Sequence, residues 1–480
     1  MRKRVPLGIA AATAAAAGAS AAVLRNPDRR NRLERQARVW RLTVRRSAHF
    51  ALLRIKGRNA SQAERMKLEQ QFAIRTAEDV AQVLGGMKGA IMKAGQMLSF
   101  IADGLPPEAQ AALATLQADV PPMAPSLAEQ VIRDELGGEP EHLFLDWDPV
   151  PVAAASIGQV HRAVMPDGRI VAVKVQYPGV DTAIKSDLDN AELLYGLFAQ
   201  FALKNLDVHA LVDELRARMA DELDYRLEAQ CQAEFAARYE GHPFIRVPKV
   251  IPERSARRVL TSEWVEGHRW ADFLETATQA QKDQAGEVLM RFAQGSIRRF
   301  GVFNGDPHPG NYRFHDDGSI TFLDFGLVKR WAPGEFDVLT PVLDAILAND
   351  ATGAVDAAVE ADFLPADHGC DPEFVFEFIR GPYEPFMVDR FTYTRDWTAK
   401  ALQTVIDIQG RYGKVIQQLN MPTSYVILDR VVWGVSALLG RLHATNNWRG
   451  ILLEYAHGTP PCTELGRIEA TWRETHATAP

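Results

Sequence analysis

Two short segments of the chain contain residue types and spacings that suit phosphoryl transfer. Asp306 and Asn311 are the first and last residues of Asp-Pro-His-Pro-Gly-Asn, and Asp324 begins an Asp-Phe-Gly thirteen positions after Asn311. Phosphoryl transfer needs a carboxylate beside the attacking hydroxyl and two oxygen ligands for magnesium. We therefore predict that Asp306 is the catalytic carboxylate and that Asn311 and Asp324 bind Mg²⁺.

The residues between the two segments predict how these side chains could meet. Asp316-Asp317-Gly318 is typical of a hairpin turn, and residues 319–323 have the composition of a strand. A loop, a short hairpin and a second loop would then bring the three side chains together. Each segment alone also has a simpler interpretation as a turn, so it is their combination that indicates the chemistry.

A lysine upstream is the second candidate catalytic residue. Residues 169–176 predict a strand in which three valines share one face, and Lys174 lies on the other face with Ile170 and Ala172. A lone charge among apolar neighbours could be an ordinary lysine of an edge strand. The chemical alternative is a lysine that binds the α and β phosphates of ATP, as in a protein kinase.

The segment before that strand predicts a phosphate-binding loop that is rich in alanine rather than glycine. Small residues let backbone amides approach phosphate, although alanine stiffens the turn. No Gly-Lys-Ser or Gly-Lys-Thr sequence occurs in the chain, so a P-loop enzyme is not expected. The candidate nucleotide contacts here are Ala153, Ala154, Ala155, Ser156, Ile157, Gln159 and Val160.

An acidic cluster lies on a segment that predicts one long helix, residues 211–239. It contains Glu222, Asp224 and Glu228, and the last two would share a helix face and repel each other. Glu228 could pair with Lys174, as the helical glutamate of a kinase does. The alternative is an acidic face exposed to solvent.

A candidate adenine-binding segment ends the strand predicted at residues 257–265. Its sequence, Ser-Glu-Trp-Val-Glu-Gly, is typical of a kinase hinge. Backbone groups of Glu263 and Val265 would then bind adenine.

Composition indicates a globular protein of more than one domain. The chain has 480 residues, of which 47% are hydrophobic and 24% charged, so we expect two lobes plus extensions. Cys231, Cys370 and Cys462 have no metal-ligand spacing. This argues against a zinc site or a disulfide scaffold and favours a reducing compartment.

The first 60 residues differ in charge from the rest of the chain. They contain 15 Lys and Arg and two acids, so the net charge of −7 leaves −20 on residues 61–480. A basic arm on an acidic body indicates contact with a polyanion. Residues 33–55 predict a basic amphipathic helix, which suits either an anionic membrane surface or packing on the protein itself. Nucleic acid is not expected as a partner, because no recognisable reading motif is present.

An alanine-rich apolar run occupies residues 7–24. A cleaved signal sequence, a weak membrane anchor and a packed or disordered helix all stay open as interpretations. The basic charge that follows the run predicts that the body of the protein lies in the cytoplasm, at the cytoplasmic side of a membrane or free of it.

Taken together, these motifs resemble the UbiB/ADCK, or aarF-domain, family of atypical protein-kinase-like proteins. The resemblance covers roughly residues 60–460, and five signatures occur in the family's order. They are Lys93-Ala94-Gly95-Gln96, Ala153-Ala154-Ala155-Ser156, Lys174, Glu222-Leu223-Asp224 with Glu228, and the set Asp306, Asn311 and Asp324.

The resemblance implies an α+β, two-lobe protein-kinase-like fold with a helical N-terminal extension and a helical C-terminal lobe. It also implies that the extension occludes the substrate side of the site, with Lys93 and Gln96 near Glu222 and Asp224. The expected divisions are a basic arm at 1–60, the extension at 61–122, the N-lobe at 123–265 and the C-lobe at 266–480.

The function implied is an ATP- and Mg²⁺-dependent kinase or ATPase that supports isoprenoid quinone biosynthesis or membrane lipid homeostasis. Its expected partners are ATP, a prenylated lipid or quinone precursor and an anionic membrane surface, and a homodimer is left open. The alternative is a nucleotide-sensing scaffold for a lipid- or quinone-synthesis complex. Many bacterial members of the family end in hydrophobic spans, whereas the apolar run of this chain is N-terminal.

Overall fold

The computed structural model describes residues 123–155, 157–181, 220–406, 410–420 and 423–476. The helices of these ranges are α1 Pro125–Leu136, α2 Pro140–Leu143, α3 Tyr225–Arg238, α4 Trp270–Thr276, α5 Gln279–Phe300, α6 Leu339–Leu347, α7 Ala351–Glu360, α8 Pro372–Arg380, α9 Arg395–Ile406, α10 Gly413–Ile416, α11 Thr423–Leu442, α12 Trp448–His457 and α13 Glu464–Thr475. The strands are β1 Asp146–Trp147, β2 Ala153–Ala154, β3 Gly158–Val164, β4 Ile170–Gln176, β5 Ile245–Arg246, β6 Val259–Glu263, β7 Val302–Asn304, β8 Tyr312–Phe314, β9 Ile320–Phe322, β10 Val328–Arg330, β11 Phe391–Thr392 and β12 Thr445–Asn446. The predictions for Lys93, Gln96 and Ser156 fall outside the described residues.

The N-terminal part of the described chain is built on an antiparallel sheet. Its strand order is β1-β3-β4-β6, and β2 also pairs with β3. Gly168, at a φ of 87° in the turn between β3 and β4, allows the tight connection that fixes their register. In that register Lys174 lies opposite Val160 on one side and Leu260 on the other.

The two faces of this sheet have different environments. The face formed by the three valines of β4 packs against α1 and is buried, which confirms the predicted alternation. The opposite face carries Lys174 and faces α3. The buried residues on the α1 side include Ala128, Val131 and Ile132 of α1 and Val171, Val173 and Val175 of β4.

Helix α3 begins later than the sequence predicted. Residues 220–222 are helical, but the chain turns at Leu223, and Asp224 is extended with φ −119° and ψ 92°. The carboxylate of Asp224 accepts a hydrogen bond from the backbone N–H of Arg226, so it caps α3. The prediction of one helix over 211–239 was therefore wrong at this point, because a short Asp side chain competes for the backbone donors.

The C-terminal part is mostly helical and is centred on α5. A capping box between Thr278 and Gln281 begins this helix, and Gly301 ends it in the left-handed conformation. Helices α11 and α12 pack along α5. None of the helices in the described ranges is both long and apolar enough to cross a membrane.

Short strand pairs carry the two segments that suit phosphoryl transfer. β8 and β9 form the predicted hairpin, and β5 adds to it in parallel through Ile245 and Ile320. β7 and β10 also pair, with Asn304 opposite Val328. The segment that carries Asp306 connects β7 to β8, and the segment that carries Asp324 connects β9 to β10. Both segments are therefore held by the same two strand pairs, β7 with β10 and β8 with β9.

A buried ion network joins α5 to the last two helices. The guanidinium of Arg291, which is 1% exposed, lies 2.7 Å from Glu287, 2.8 Å from Glu454 and 3.2 Å from Glu469. The surrounding carboxylates outweigh the opposing effect of burial and hold the pKa of Arg291 above its ordinary value. The network therefore fixes α12 and α13 against the core.

Replacing this arginine should be costly, because it leaves the buried carboxylates of Glu287 and Glu454 without their cation, whereas Glu469 keeps Arg299 at 3.0 Å. We expect Arg291→Met to lower the free energy of unfolding by about 3–5 kcal/mol. Arg411, 2.7 Å from Glu377, is the control because its side chain is 64% exposed. Arg411→Met should cost under about 1 kcal/mol. Equal losses for the two variants in urea denaturation would contradict this account of the network.

Candidate functional site

A buried ion pair joins the sheet to α3. The ammonium group of Lys174 lies 2.7 and 2.8 Å from the two carboxylate oxygens of Glu228. Their side chains are 17% and 8% exposed. The pairing of Glu228 with Lys174 that the sequence suggested is therefore present. The alternative, in which Glu228 lies on an acidic face exposed to solvent, does not hold.

The electrostatic surroundings keep Lys174 charged. Burial alone would lower the pKa of its ammonium group, but the carboxylates of Glu228 and Asp324 raise it above the ordinary value. Asp324 contributes from 3.9 Å, and the ring of Tyr225 lies beneath the ammonium, 5.0 Å from centroid to nitrogen. A fixed cation of this kind suits an anionic ligand such as phosphate.

The Asp-Phe-Gly segment is tied to the same helix. Phe325 is buried, and its ring centroid lies 4.8 Å from that of Phe235, which is two turns beyond Glu228 on α3. One carboxylate oxygen of Asp324 accepts a hydrogen bond from the backbone N–H of Gly326 at 2.9 Å. The position of α3 therefore sets the positions of both Glu228 and Asp324.

Asn304 connects the two candidate catalytic segments. Its side-chain oxygen accepts a hydrogen bond from the backbone N–H of Asp306 at 2.9 Å, and its side-chain NH₂ donates to the backbone carbonyl of Asp324. Although Asn304 lies only two positions before Asp306, its role was missed from the sequence. A bridging role depends on contacts with a residue twenty positions away.

The predicted catalytic carboxylate has a partner that sequence reasoning missed. Arg430, on α11, donates to one carboxylate oxygen of Asp306 at 2.5 Å, and Asn311 donates to the backbone carbonyl of Asp306 at 3.2 Å. The side chains of Arg430 and Asp306 are 15% and 13% exposed. One turn further along α11, a Cβ at Gly434 would lie 2.3 Å from Pro307, so α11 packs directly against this loop.

Asn311 and Asp324 have the ligand chemistry that magnesium requires. Their side-chain oxygens are hard ligands, and a hydrogen bond of 3.0 Å from the backbone N–H of Leu323 to the carbonyl of Asn311 keeps the two segments adjacent. Across the described ranges no group of three or more His, Cys, Asp or Glu could hold a metal ion. One carboxylate and one amide fit a magnesium ion that takes its other ligands from phosphate and water.

The alanine-rich loop lies next to Lys174 in the sheet. Ala153 pairs with Val160 and Ala154 with Gln159, and the backbone N–H of Ala155 donates to Gly158 at 2.9 Å. Val160 is the direct neighbour of Lys174 across β3 and β4. The loop therefore lies where phosphate groups bound to Lys174 would meet its backbone.

Two of the candidate loop residues have buried side chains. Ile157 is 1% exposed and packs against Tyr225 and Leu260. Gln159 hydrogen-bonds to His161 at 2.8 Å and accepts from the backbone N–H of Met123 at 3.0 Å. Since Gln159 alternates with Val160, its side chain is directed away from the Lys174 face, and only its backbone could contact a nucleotide.

The predicted hinge residues lie at the end of β6, with Glu263 as its last residue and Val265 two positions beyond it. The backbone N–H of Glu263 donates to Lys249 at 2.9 Å, and the carboxylate of Glu263 accepts from the backbone N–H of Lys249 at 2.9 Å. Trp264 donates to the backbone carbonyl of Ile170 at 3.1 Å. Val265 thus lies in the connection from the sheet to α4, and the adenine-binding role of Glu263 and Val265 stays a prediction.

The remaining acidic residues of the cluster precede α3, and Glu222 is near enough to Glu228 to help raise the pKa of its carboxyl, which burial raises most. The carboxylate of Asp224 lies 2.5 Å from Arg226 of its own turn. The backbone carbonyls of Glu222 and Leu223 accept hydrogen bonds from the buried side chain of Gln176. The predicted repulsion between Asp224 and Glu228 was therefore wrong, because Asp224 precedes α3 and points elsewhere. Whether Lys93 approaches Glu222 and Asp224 falls outside the described residues.

A strand lysine paired with a helix glutamate, an Asp-to-Asn loop and an Asp-Phe-Gly segment together define a protein-kinase-like protein. Residues 115–358 match the family described as the ABC1 atypical kinase-like domain. The chain therefore belongs to this family, the UbiB/ADCK group, as the resemblance predicted.

Known relatives extend the similarity beyond that domain. The chain is 34% identical to the atypical kinase COQ8, mitochondrial, of Saccharomyces cerevisiae, over 75% of this chain and 72% of the relative. It is also 34% identical to Protein ACTIVITY OF BC1 COMPLEX KINASE 1, chloroplastic, of Arabidopsis thaliana, over 60% of this chain and 44% of the relative. Several of the curated relatives are matched over only about half of their length or less.

Similarity to a solved structure supports the same fold. The structure of Rv3197 in complex with erythromycin, from Mycobacterium tuberculosis, is 33% identical with a TM-score of 0.62. The match covers 82% of this chain and 98% of that one. The predicted α+β, kinase-like fold class is thereby confirmed.

The contact between Asp306 and Arg430 yields a testable coupling. Arg430→Gln should destabilise the protein by about 1–3 kcal/mol, because it leaves a mostly buried carboxylate without its charged donor. Asp306→Asn should remove most of that penalty, so the double variant should lose less stability than the two single variants together. Chemical denaturation of the four proteins gives the coupling energy.

A matched control is the pair of Arg226 and Asp224, also 2.5 Å apart but with Arg226 61% exposed. Arg226→Gln should cost under about 1 kcal/mol. A coupling energy near zero for Arg430 and Asp306 would show that this ion pair does not hold the loop in solution.

Proposed function

We propose that the protein is an ATP-binding atypical kinase or ATPase. The observation that carries this proposal is the ion pair of Lys174 and Glu228 at 2.7 Å, with Asp324 3.9 Å from the same ammonium group. This arrangement gathers a cation for phosphate and a carboxylate for magnesium in one cleft. Family membership supports phosphotransfer or ATP hydrolysis in general terms.

In the proposed reaction each side chain has a distinct task. Lys174 binds the α and β phosphates, and Asn311 and Asp324 hold Mg²⁺, which would neutralise charge on the phosphate oxygens. Asp306 accepts a hydrogen bond from the attacking hydroxyl or water and takes its proton as the γ-phosphoryl group transfers and ADP leaves. The backbone of the alanine-rich loop and of Glu263 and Val265 would position the phosphates and the adenine.

For the acceptor, we propose a small molecule of the isoprenoid quinone or membrane lipid pathways. The support is the resemblance to the UbiB/ADCK family and the basic arm of residues 1–60, whose charge suits an anionic membrane surface. The proposed occlusion of the substrate side by Lys93 and Gln96 would exclude protein substrates and favour a small acceptor or water.

One observation favours a second candidate function, a nucleotide-sensing scaffold with little turnover. Arg430 occupies one oxygen of the Asp306 carboxylate, which leaves that oxygen less available to an attacking hydroxyl. An ATP turnover assay of the purified protein, with and without anionic liposomes and a prenylated phenol, separates the two. Turnover that these additions stimulate supports the enzyme, whereas nucleotide binding without turnover in any condition supports the scaffold.

The two carboxylates of the site should respond differently to substitution. Asp324→Asn should abolish the magnesium-dependent increase in melting temperature that ATP produces, because it removes a charged metal ligand. Asp306→Asn should retain that increase and lose turnover, because Asp306 acts on the attacking group. Thermal melts with and without Mg²⁺, together with turnover rates, make the comparison. A magnesium-dependent shift that survives Asp324→Asn would refute the metal assignment.

A further inference from the structure

Tyr225 is a buried residue of the cleft to which neither the sequence motifs nor the proposed mechanism gave a role. It is the first residue of α3, one turn before Glu228, and its side chain is 2% exposed. Its ring lies under the ammonium group of Lys174, 5.0 Å from centroid to nitrogen. The ring therefore helps to hold the cation that the proposed phosphate site depends on.

The hydroxyl of Tyr225 is buried without a hydrogen-bond partner among the residues that the structure describes. It lies against the alanine-rich loop, where a Cβ at Gly158 would be 2.9 Å from the hydroxyl oxygen and 2.3 Å from the carbonyl oxygen of Val175. A side chain at position 158 would collide first with this carbonyl and then with the hydroxyl, so glycine is required here. The hydroxyl is thus located between the loop and the strand that carries Lys174.

An unpartnered hydroxyl in this environment needs an explanation, because burying one without a hydrogen bond is unfavourable and rare in native proteins. Tyr239, at the other end of the same helical segment, shows the ordinary arrangement. It is 3% exposed, and its hydroxyl is 2.9 Å from the hydroxyl of Ser296. Burial also raises the pKa of the Tyr225 phenol above its ordinary value, so the group keeps its proton and can donate it in a hydrogen bond.

We propose that the Tyr225 hydroxyl donates a hydrogen bond to a phosphate oxygen of a bound nucleoside di- or triphosphate. Gly158 of the loop lies beside the hydroxyl and Lys174 lies over the ring, and the loop and Lys174 are the two elements expected to contact those phosphates. A phosphate oxygen bound there would supply the acceptor that the described residues do not. Tyr225 then binds the ligand in two ways, through its hydroxyl directly and through its ring by positioning Lys174. This inference rests on the proposed nucleotide site and adds to it Tyr225 as a residue that binds phosphate.

The test is Tyr225→Phe in the full chain, since it removes the hydroxyl and keeps the ring. We expect affinity for ADP and ATP with Mg²⁺ to fall about tenfold or more, because the lost hydrogen bond is to a charged group. Affinity for adenosine, which has no phosphate, should not change. The melting temperature without nucleotide should stay the same or rise, because the variant loses an unsatisfied buried group.

Tyr239→Phe is the matched control, with the opposite pattern expected. It should lower the melting temperature without nucleotide, since it leaves Ser296 without its partner, and it should not alter ADP affinity. Titration calorimetry and thermal melts of the three proteins provide both readouts.

Each outcome decides the question. Lower ADP affinity in Tyr225→Phe with an unchanged or raised melting temperature supports the inference. Unchanged ADP affinity overturns it and leaves the nucleotide site intact, and a fall of several degrees in the melting temperature overturns it by showing a structural role. Failure of the unmodified protein to bind any of the nucleotides overturns the proposed function and this inference together.

Discussion

The buried pair of Lys174 and Glu228 is the interaction on which the rest of the cleft depends. Removing two charges from water is costly, and the cost is offset only where geometry is good and the charges are compensated. Here both carboxylate oxygens contact the ammonium group, at 2.7 and 2.8 Å. The pair therefore requires β4 and α3 to keep one relative position, and that position in turn places the other groups of the site.

Helix α3 transmits this constraint to both ends of the cleft. Tyr225 at its first turn lies between Lys174 and the alanine-rich loop, and Phe235 two turns beyond Glu228 packs against Phe325 beside Asp324. On the opposite side, α11 holds the Asp306 loop through Arg430. The candidate chemistry thus depends on one helix that fixes the cation and the metal ligand, and on a second that fixes the catalytic carboxylate.

Short-range patterns explain what the sequence could predict. The hairpins follow from the turn residues and are observed. The alternation of buried and exposed positions along β4, which places Lys174 on one face and three buried valines on the other, is also observed. The start of α3 was mispredicted because the charge pattern placed Asp224 inside a longer helix, whereas its side chain caps the helix that begins at Tyr225. The contact of Arg430 with Asp306 could not be predicted, since it joins residues 124 positions apart and no local pattern signals it.

The most direct measurement is a crystal structure of the protein with a non-hydrolysable ATP analogue and Mn²⁺, which replaces Mg²⁺ and gives an anomalous signal. We expect the analogue's phosphates on Lys174, with the ion pair to Glu228 retained, and an anomalous peak between Asn311 and Asp324. An analogue bound elsewhere, or bound in the cleft with the metal away from both residues, would contradict the account.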